Sequence, residues 1–284
     1  MRIGIDSYCY HRYFGDVYDH QEPPEKEWTL KDFIGRAQEL NVDGVSLESC
    51  FIRQDAGYLS EVKGMLDEAG MERVWAWGHP DGLEGGKNEQ EFDRMLENFE
   101  CAKLVGTSIM RVVASSLMFR HESHEAQIER LSAMFEKAIK TAEQYDIKVA
   151  IENHIDFNSA EIMQILDNVG SSYLGVNFDT GNFIRVLDDP VKAAEKLGKY
   201  VLATHVKDVK LDENLPADTW YFFSSVPIGK GLLDVRGVAK ALKDAGYNGV
   251  LAIEIDSLHP DYVGREDAIV KESVGQLRAL TSDL

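Results

Sequence analysis

Residues 148–179 read KVAIENHIDFNSAEIMQILDNVGSSYLGVNFD, with a short apolar run at each end of the segment. Between the two runs, at 159–168, apolar residues recur at helical spacing. Short apolar runs indicate buried strands, and an amphipathic segment between them indicates a helix that covers the sheet. The segment is therefore predicted to form a strand, a crossover helix and a second, parallel strand.

The same unit recurs along the whole chain. Further apolar runs are IGIDSYCY, GVSLE, RVWAWG, IMRVVA, VLATHVKD and VLAIEID, beginning at residues 3, 44, 73, 109, 201 and 250. Amphipathic helices are predicted at 30–40, 58–69, 89–104, 122–145, 159–168, 191–197, 235–245 and 266–280. Alternating strands and helices indicate a parallel sheet covered by helices.

Eight such units predict an α/β fold, a single (β/α)8 TIM barrel formed by residues 1–284 as one domain. An open, doubly wound sheet is the alternative, because the number of strands does not establish closure. Two segments, 11–28 and 210–231, do not fit the repeat and are predicted to be long loops on the catalytic face.

The composition restricts the class of partner. The 284 residues include 30 Lys and Arg against 49 Asp and Glu, a formal net charge of −19. Such a surface repels polyanions, so we expect neither nucleic acid nor a membrane as a partner. Three cysteines without a C-x-x-C pair fit a reducing compartment. The first apolar run ends at Asp6, too early for a signal peptide, and we expect a cytoplasmic protein.

Four polar residues end four apolar strands, where a TIM barrel builds its active site. They are Glu152, Asp179, His205 and Glu254, spaced 27, 26 and 49 residues apart. One strand-helix unit fills each of the first two gaps, and the long loop at 210–231 widens the third. Three carboxylates at one barrel mouth repel one another unless a cation binds them. The residues therefore predict one divalent metal ion, for which we expect Mn²⁺, with Mg²⁺, Co²⁺ or Zn²⁺ as alternatives.

These strand ends carry a resemblance to a known family. The segments are IENH at 151–154, NFDTGN at 177–182, THVKD at 204–208, PIGKGLLD at 227–234 and AIEI at 252–255. Together they resemble the xylose isomerase-like TIM barrels, and within them the sugar phosphate isomerase/epimerase group. The resemblance implies that Glu152, Asp179, His205 and Glu254 are metal ligands. It also implies that Glu152 and Glu254 are catalytic, one removing the proton next to a carbonyl and the other returning it.

Six further residues are predicted to contact a small carbohydrate or polyol substrate at the mouth. They are His11, His79, Arg111, His154, Asn182 and Lys207. Two positions depart from the ketose 3-epimerases of the family. Asn182 stands where those enzymes usually have a His, and Leu211 stands where they have an Arg.

Three functions remain open at this point. The first is a metal-dependent isomerase or epimerase, and the second is a lyase resembling inosose dehydratases or the catalytic subunit of C-glycoside deglycosidases. Both begin with proton abstraction beside a ketone. The third is a non-catalytic sugar-binding barrel, against which the paired Glu152 and Glu254 argue. A homo-oligomer is one candidate assembly. A second subunit is expected if the protein is deglycosidase-like.

Overall fold

A computed structural model describes residues 1–78 and 80–284 of the chain. Its core is a closed barrel of eight parallel strands, in the order β1-β10-β7-β6-β5-β4-β3-β2. The barrel strands are β1 Arg2–Asp6, β2 Gly44–Glu48, β3 Glu72–Ala76, β4 Ile109–Val113, β5 Lys148–Glu152, β6 Leu174–Asp179, β7 Val201–Val206 and β10 Val250–Ile253. Pairing of β1 with β10 closes the sheet, which confirms the TIM barrel and excludes the open alternative.

In the part of the chain that the structure describes, eight α-helices cover the outside of the barrel. They are α1 Leu30–Glu39, α2 Ala56–Glu68, α3 Glu89–Val105, α4 His124–Tyr145, α5 Ser159–Val169, α6 Pro190–Leu197, α7 Val235–Asp244 and α8 Glu266–Leu280. Thr29 caps α1 in a reciprocal capping box with Asp32. Gly70 and Gly246 follow α2 and α7 with φ of +64° and +93°, the left-handed conformation that glycine adopts without steric cost.

The segment predicted as a loop at 210–231 contains regular structure. It contributes to an antiparallel hairpin formed by β8 Asp208–Leu211 and β9 Phe223–Val226. The long loop predicted after β7 thus includes a short hairpin, in which the chain pairs with itself. The carboxylate of Asp208 holds the return of this segment by accepting hydrogen bonds from the backbone N–H groups of Gly229 and Gly231, at 2.9 and 2.8 Å.

Apolar and charged residues occupy different parts of the core. Large apolar side chains such as Phe33, Phe99 and Phe135 are fully buried between the strands and the helices. At the carboxyl ends of the strands, inside the mouth, the buried residues are instead charged. Since charges are buried only when they are paired or coordinated, this end of the barrel is marked as the candidate site. Among the described residues, no helix has both the length and the apolar character to cross a membrane.

Candidate metal centre

The four residues predicted as metal ligands lie together. Glu152 ends β5, Asp179 ends β6, His205 lies on β7 and Glu254 directly follows β10, and these four strands are consecutive around the barrel. One potential ligand atom from each residue lies within 4.8 Å of all the others. All four side chains are buried. The barrel register therefore gathers three carboxylates and one imidazole around a single point.

Several of these potential ligand atoms lack a hydrogen-bond partner among the described residues. The buried atoms Asp179 Oδ2, His205 Nδ1 and Glu254 Oε2 have none. Buried polar atoms are normally hydrogen-bonded, so ligand-type atoms that meet without hydrogen bonds are suited to binding a cation. Three oxygens and one nitrogen suit a hard or borderline divalent cation, and the residues fit such an ion.

Arg111 holds Glu152 from the neighbouring strand. Its Nε donates to Glu152 Oε2, and its Nη1 lies 3.4 Å from Glu48 Oε2. Asn177 adds a second donor to Glu152 Oε2 at 3.2 Å. Burial alone would raise the pKa of Glu152, but the charges of Arg111 and His205 outweigh burial and lower this pKa. Glu152 is therefore fixed in position as a carboxylate.

His205 is oriented by a carboxylate on its far side. Its Nε2 lies 3.3 Å from Asp6 Oδ2, while its Nδ1 lies 3.2 Å from both Glu152 Oε2 and Glu254 Oε2. A carboxylate behind a metal-ligating histidine fixes the ring orientation and the tautomer. Burial lowers the pKa of His205, but the carboxylates of Glu254 and Glu152 raise it by more, so that the net shift is upward. Without a cation the imidazole is therefore protonated.

Lys207 supplies a second buried cation next to the ligand set. Its Nζ lies 3.0 Å from Asp179 Oδ2 and 2.9 Å from Glu254 Oε2. Burial raises the pKa of Asp179, although Lys207 opposes this effect. For Glu254, the charges of His205 and Lys207 outweigh burial and lower the pKa.

The remaining predicted substrate residues occupy different surroundings. Both ring nitrogens of His11 lie near backbone carbonyls, of Asp16 at 2.6 Å and of Asp256 at 2.9 Å. The backbone N–H of Asn182 donates to Asp179 Oδ1 at 2.9 Å, which positions a predicted ligand. His79 lies outside the described residues. Contact of these residues, and of Arg111 and Lys207, with a substrate stays a prediction.

His154 lies beneath an aromatic side chain from the hairpin segment. Its ring centroid is 5.1 Å from that of Trp220, and its Nδ1 is buried without a hydrogen-bond partner in the described part of the chain. Burial lowers the pKa of His154 to about 4, so its imidazole is neutral at neutral pH. The backbone oxygens of Thr219 and Trp220 accept hydrogen bonds from the Arg185 guanidinium, which ties the hairpin segment to the loop after β6.

Asp6, Glu48 and Asp256 are not among the ligand or substrate residues predicted from the sequence. Asp6 and Glu48 end the apolar strands β1 and β2, which is the same signal that identified the four predicted ligands. Extending that signal to every barrel strand would have found both. Asp256 lies beyond the end of β10, where strand periodicity does not predict the direction of a side chain.

The chain belongs to the xylose isomerase-like TIM barrel family, whose model matches residues 34–280. Among curated relatives, it is 23% identical to the 3-oxo-isoapionate decarboxylase of Pectobacterium atrosepticum, over 57% of this chain and 56% of that protein. It is 26% identical to the inosose isomerase of Bacillus velezensis, over 61% of this chain and 60% of that protein. The matched region thus spans less than two thirds of either relative.

Solved structures share the fold over nearly the whole chain. The IOLI protein with a bound zinc atom superposes with a TM-score of 0.77 at 15% identity, covering 99% of this chain and 98% of that one. An L-ribulose 3-epimerase superposes with a TM-score of 0.74 at 14% identity, covering 99% and 94%. A xylose isomerase domain protein from Planctomyces limnophilus gives 0.71 at 21% identity, covering 87% and 90%.

Proposed function

We propose that the protein is a divalent-metal-dependent isomerase or epimerase that transfers a proton next to the carbonyl of a sugar or polyol. The observation that carries this proposal is the set of buried ligand atoms on Asp179, His205 and Glu254 that make no hydrogen bond among the described residues and meet Glu152 at the mouth of the barrel. Membership of the family supports it, as do the activities for which the inosose isomerase and the L-ribulose 3-epimerase are named.

In this proposal Glu152, Asp179, His205 and Glu254 hold the cation, with Mn²⁺ as the expected ion. A divalent cation held there supplies Lewis-acid polarisation of a substrate carbonyl. The two glutamates have a second role in proton transfer. One glutamate takes up the substrate proton as a carboxylate, and the other returns a proton that it has first taken from solvent; the first then releases its proton to solvent, so that the charge of the site is restored. The two glutamates have different partners, since Glu152 Oε2 is held by Arg111 and Asn177, whereas Glu254 Oε2 lies beside Lys207 and His205.

The surrounding residues bind and orient the substrate. The neutral imidazole of His154 and the ring of Trp220 lie at the mouth. There the Trp220 ring stacks on the apolar face of a sugar, and a nitrogen of His154 forms a hydrogen bond with a sugar hydroxyl. Arg111, Asp6 and Lys207 align the ligand side chains, and the charges of Arg111 and Lys207 favour the ionised forms of Glu152 and Glu254 before the substrate arrives. Pre-aligned charges of this kind contribute to catalysis because they need no reorganisation during the reaction.

A lyase acting on keto-sugars is the second candidate function. Leu211, which stands where the epimerases have an Arg, lies in the hairpin opposite Phe223 and offers no charge to a substrate oxygen. The relative from P. atrosepticum is named as a decarboxylase of a 3-oxo sugar acid. An elimination or decarboxylation begins with the same polarised carbonyl and differs in which bond breaks next.

Proton NMR in D₂O distinguishes the candidates. Purified protein with Mn²⁺ is incubated with keto sugars, inosose, 3-oxo-glycosides and a 3-oxo sugar acid, before and after chelation. Deuterium entry beside the carbonyl together with a new isomer supports the isomerase, and loss of water, CO₂ or an aglycone supports the lyase. The absence of exchange with every substrate, in protein shown to bind Mn²⁺, would contradict both and favour a sugar-binding barrel.

A further inference from the structure

Lys207 is placed between the predicted metal ligands and a carboxylate outside that set. The residue is only 5% exposed, and its Nζ lies 3.0 Å from Asp179 Oδ2, 2.9 Å from Glu254 Oε2 and 3.1 Å from Asp256 Oδ2. Asp179 and Glu254 belong to the ligand set, whereas Asp256 does not. One ammonium group thus touches two ligand oxygens and one oxygen that remains available when a cation is bound.

The three contacts of the ammonium differ in kind. Only the contact with Asp256 has the geometry of a hydrogen bond. Asp179 Oδ2 and Glu254 Oε2 have no hydrogen bond among the described residues, although the ammonium is within ion-pair distance of both. Lys207 is therefore tethered on the side of Asp256 and contributes only its charge to the ligand set.

Both ends of this tether are fixed. Asp256 Oδ1 accepts hydrogen bonds from Ser225 Oγ at 2.6 Å and from the backbone N–H of Ser257 at 2.7 Å. The backbone of Lys207 is bonded to Thr180 through both its N–H and its carbonyl. Its side-chain stem packs over Gly181, where an added Cβ would lie 2.6 Å from Lys207 Cγ. The ammonium is thus held within reach of both the ligand oxygens and the Asp256 carboxylate.

We propose that Lys207 balances the charge of the ligand set while no cation is bound, and that Asp256 retains the ammonium when a divalent cation takes its place. This inference rests on the proposed metal site. Two cations beside the same carboxylate oxygens repel each other, so the ammonium competes with the divalent ion. The same ammonium stabilises the metal-free protein, because it prevents Asp179 and Glu254 from being buried as unpaired charges.

Isothermal titration with Mn²⁺ alone, on protein freed of metal by chelation, tests this balance. Lys207→Met is expected to bind Mn²⁺ more tightly, with a Kd lower by about tenfold, because the competing charge is gone. The thermal midpoint of its metal-free form is expected to fall by several degrees. Asp256→Asn keeps the ammonium but weakens its tether, so Mn²⁺ binding is expected to weaken. Electron paramagnetic resonance of free Mn²⁺ provides an independent measure of Kd.

Lys240→Met is the matched control, since Lys240 pairs with Asp244 on the surface of α7 and should leave the Kd unchanged. Lys207→Met that binds Mn²⁺ no more tightly than the wild type would overturn the inference and leave the metal site intact. A wild type that binds no Mn²⁺ would refute the metal site and the inference together. If Lys207→Met folds only with Mn²⁺ present, that dependence supports the inference. In that case Asp256→Asn still provides a test, because a wild-type Kd for Mn²⁺ in this variant would overturn the inference.

Discussion

Nε2 of His205 lies 3.3 Å from Oδ2 of Asp6, and both side chains are completely buried. This contact orients the imidazole so that Nδ1 faces the other three predicted ligands. Asp6 also caps the 3₁₀ helix Ser7–Phe14 by accepting a hydrogen bond from the backbone N–H of Tyr8. One side chain thus links the end of β1 to the geometry of the candidate metal centre.

Asp6→Asn tests this link. The amide keeps the volume and the cap, but its N–H group opposes a proton on Nε2 and favours the tautomer that has the proton on Nδ1. We expect the affinity for Mn²⁺ to fall by about 10- to 100-fold with a small change in thermal stability. Isothermal titration and a melting curve measure the two quantities. An unchanged affinity would show that Asp6 has no part in orienting His205.

Arg111 is expected to be a structural requirement of the centre. Arg111→Met leaves Glu152 buried without its cationic partner, which should lower the free energy of unfolding by about 3–5 kcal/mol. Mn²⁺ should raise the melting temperature of this variant more than that of the wild type, because a divalent cation neutralises the same carboxylate. The double variant Arg111→Met/Glu152→Gln should regain part of the stability. Equal stability of Arg111→Met and wild type in urea denaturation would contradict this role.

Glu254→Gln and Glu152→Gln separate catalysis from folding. Both are expected to abolish turnover and solvent-proton exchange. Glu254→Gln should keep near-normal stability because Asp179 and Asp256 still surround Lys207. Glu152→Gln should also destabilise the protein, since the Arg111 guanidinium loses its closest carboxylate. Turnover assays with melting curves check both, and an active variant would remove its residue from the mechanism.

Asp156 predicts a pH-dependent stability. Burial raises its pKa from 3.8 to about 7. The folded state therefore holds this proton more tightly than the unfolded chain, and stability declines as the pH rises from about 4 to about 7. Asp156→Asn does not ionise, and its Oδ1 still accepts from the backbone of His154 and Phe157.

The stability of Asp156→Asn relative to wild type should accordingly increase by about 2.5 kcal/mol between pH 5 and pH 8. Chemical denaturation of both proteins at the two pH values measures this difference. A pH-independent difference between the two proteins would show that Asp156 is ionised throughout this range in the folded state.

Much of this arrangement followed from the sequence because two local patterns determine it. Apolar runs alternating with amphipathic segments specified the barrel, and polar residues at the ends of KVAIE and LGVNFD specified where Glu152 and Asp179 would lie. The pairing of side chains inside the mouth was not accessible in the same way. Arg111, in the middle of β4, pairs with Glu152 and Glu48 at the ends of β5 and β2 because the barrel brings the three strands around one point, and no spacing along the chain records that contact.

The hairpin β8/β9 shows a second limit. Its strands are only four residues long, and the intervening segment at 212–222 contains Pro, Asp and aromatic residues that interrupt any alternating pattern. Its structure depends on tertiary anchors, chiefly the Asp208 carboxylate and the Arg185 guanidinium. Local sequence therefore indicated a loop where long-range contacts stabilise a hairpin.

The most direct test of the account is the position of the cation itself. Crystals grown with Mn²⁺ and measured near the manganese absorption edge should show one anomalous peak inside the barrel mouth. We expect Glu152, Asp179, His205 and Glu254 all to contact this peak and Lys207 to have turned toward Asp256. No peak at this site in Mn²⁺-saturated crystals, or a peak bound by other residues, would contradict the proposed metal centre.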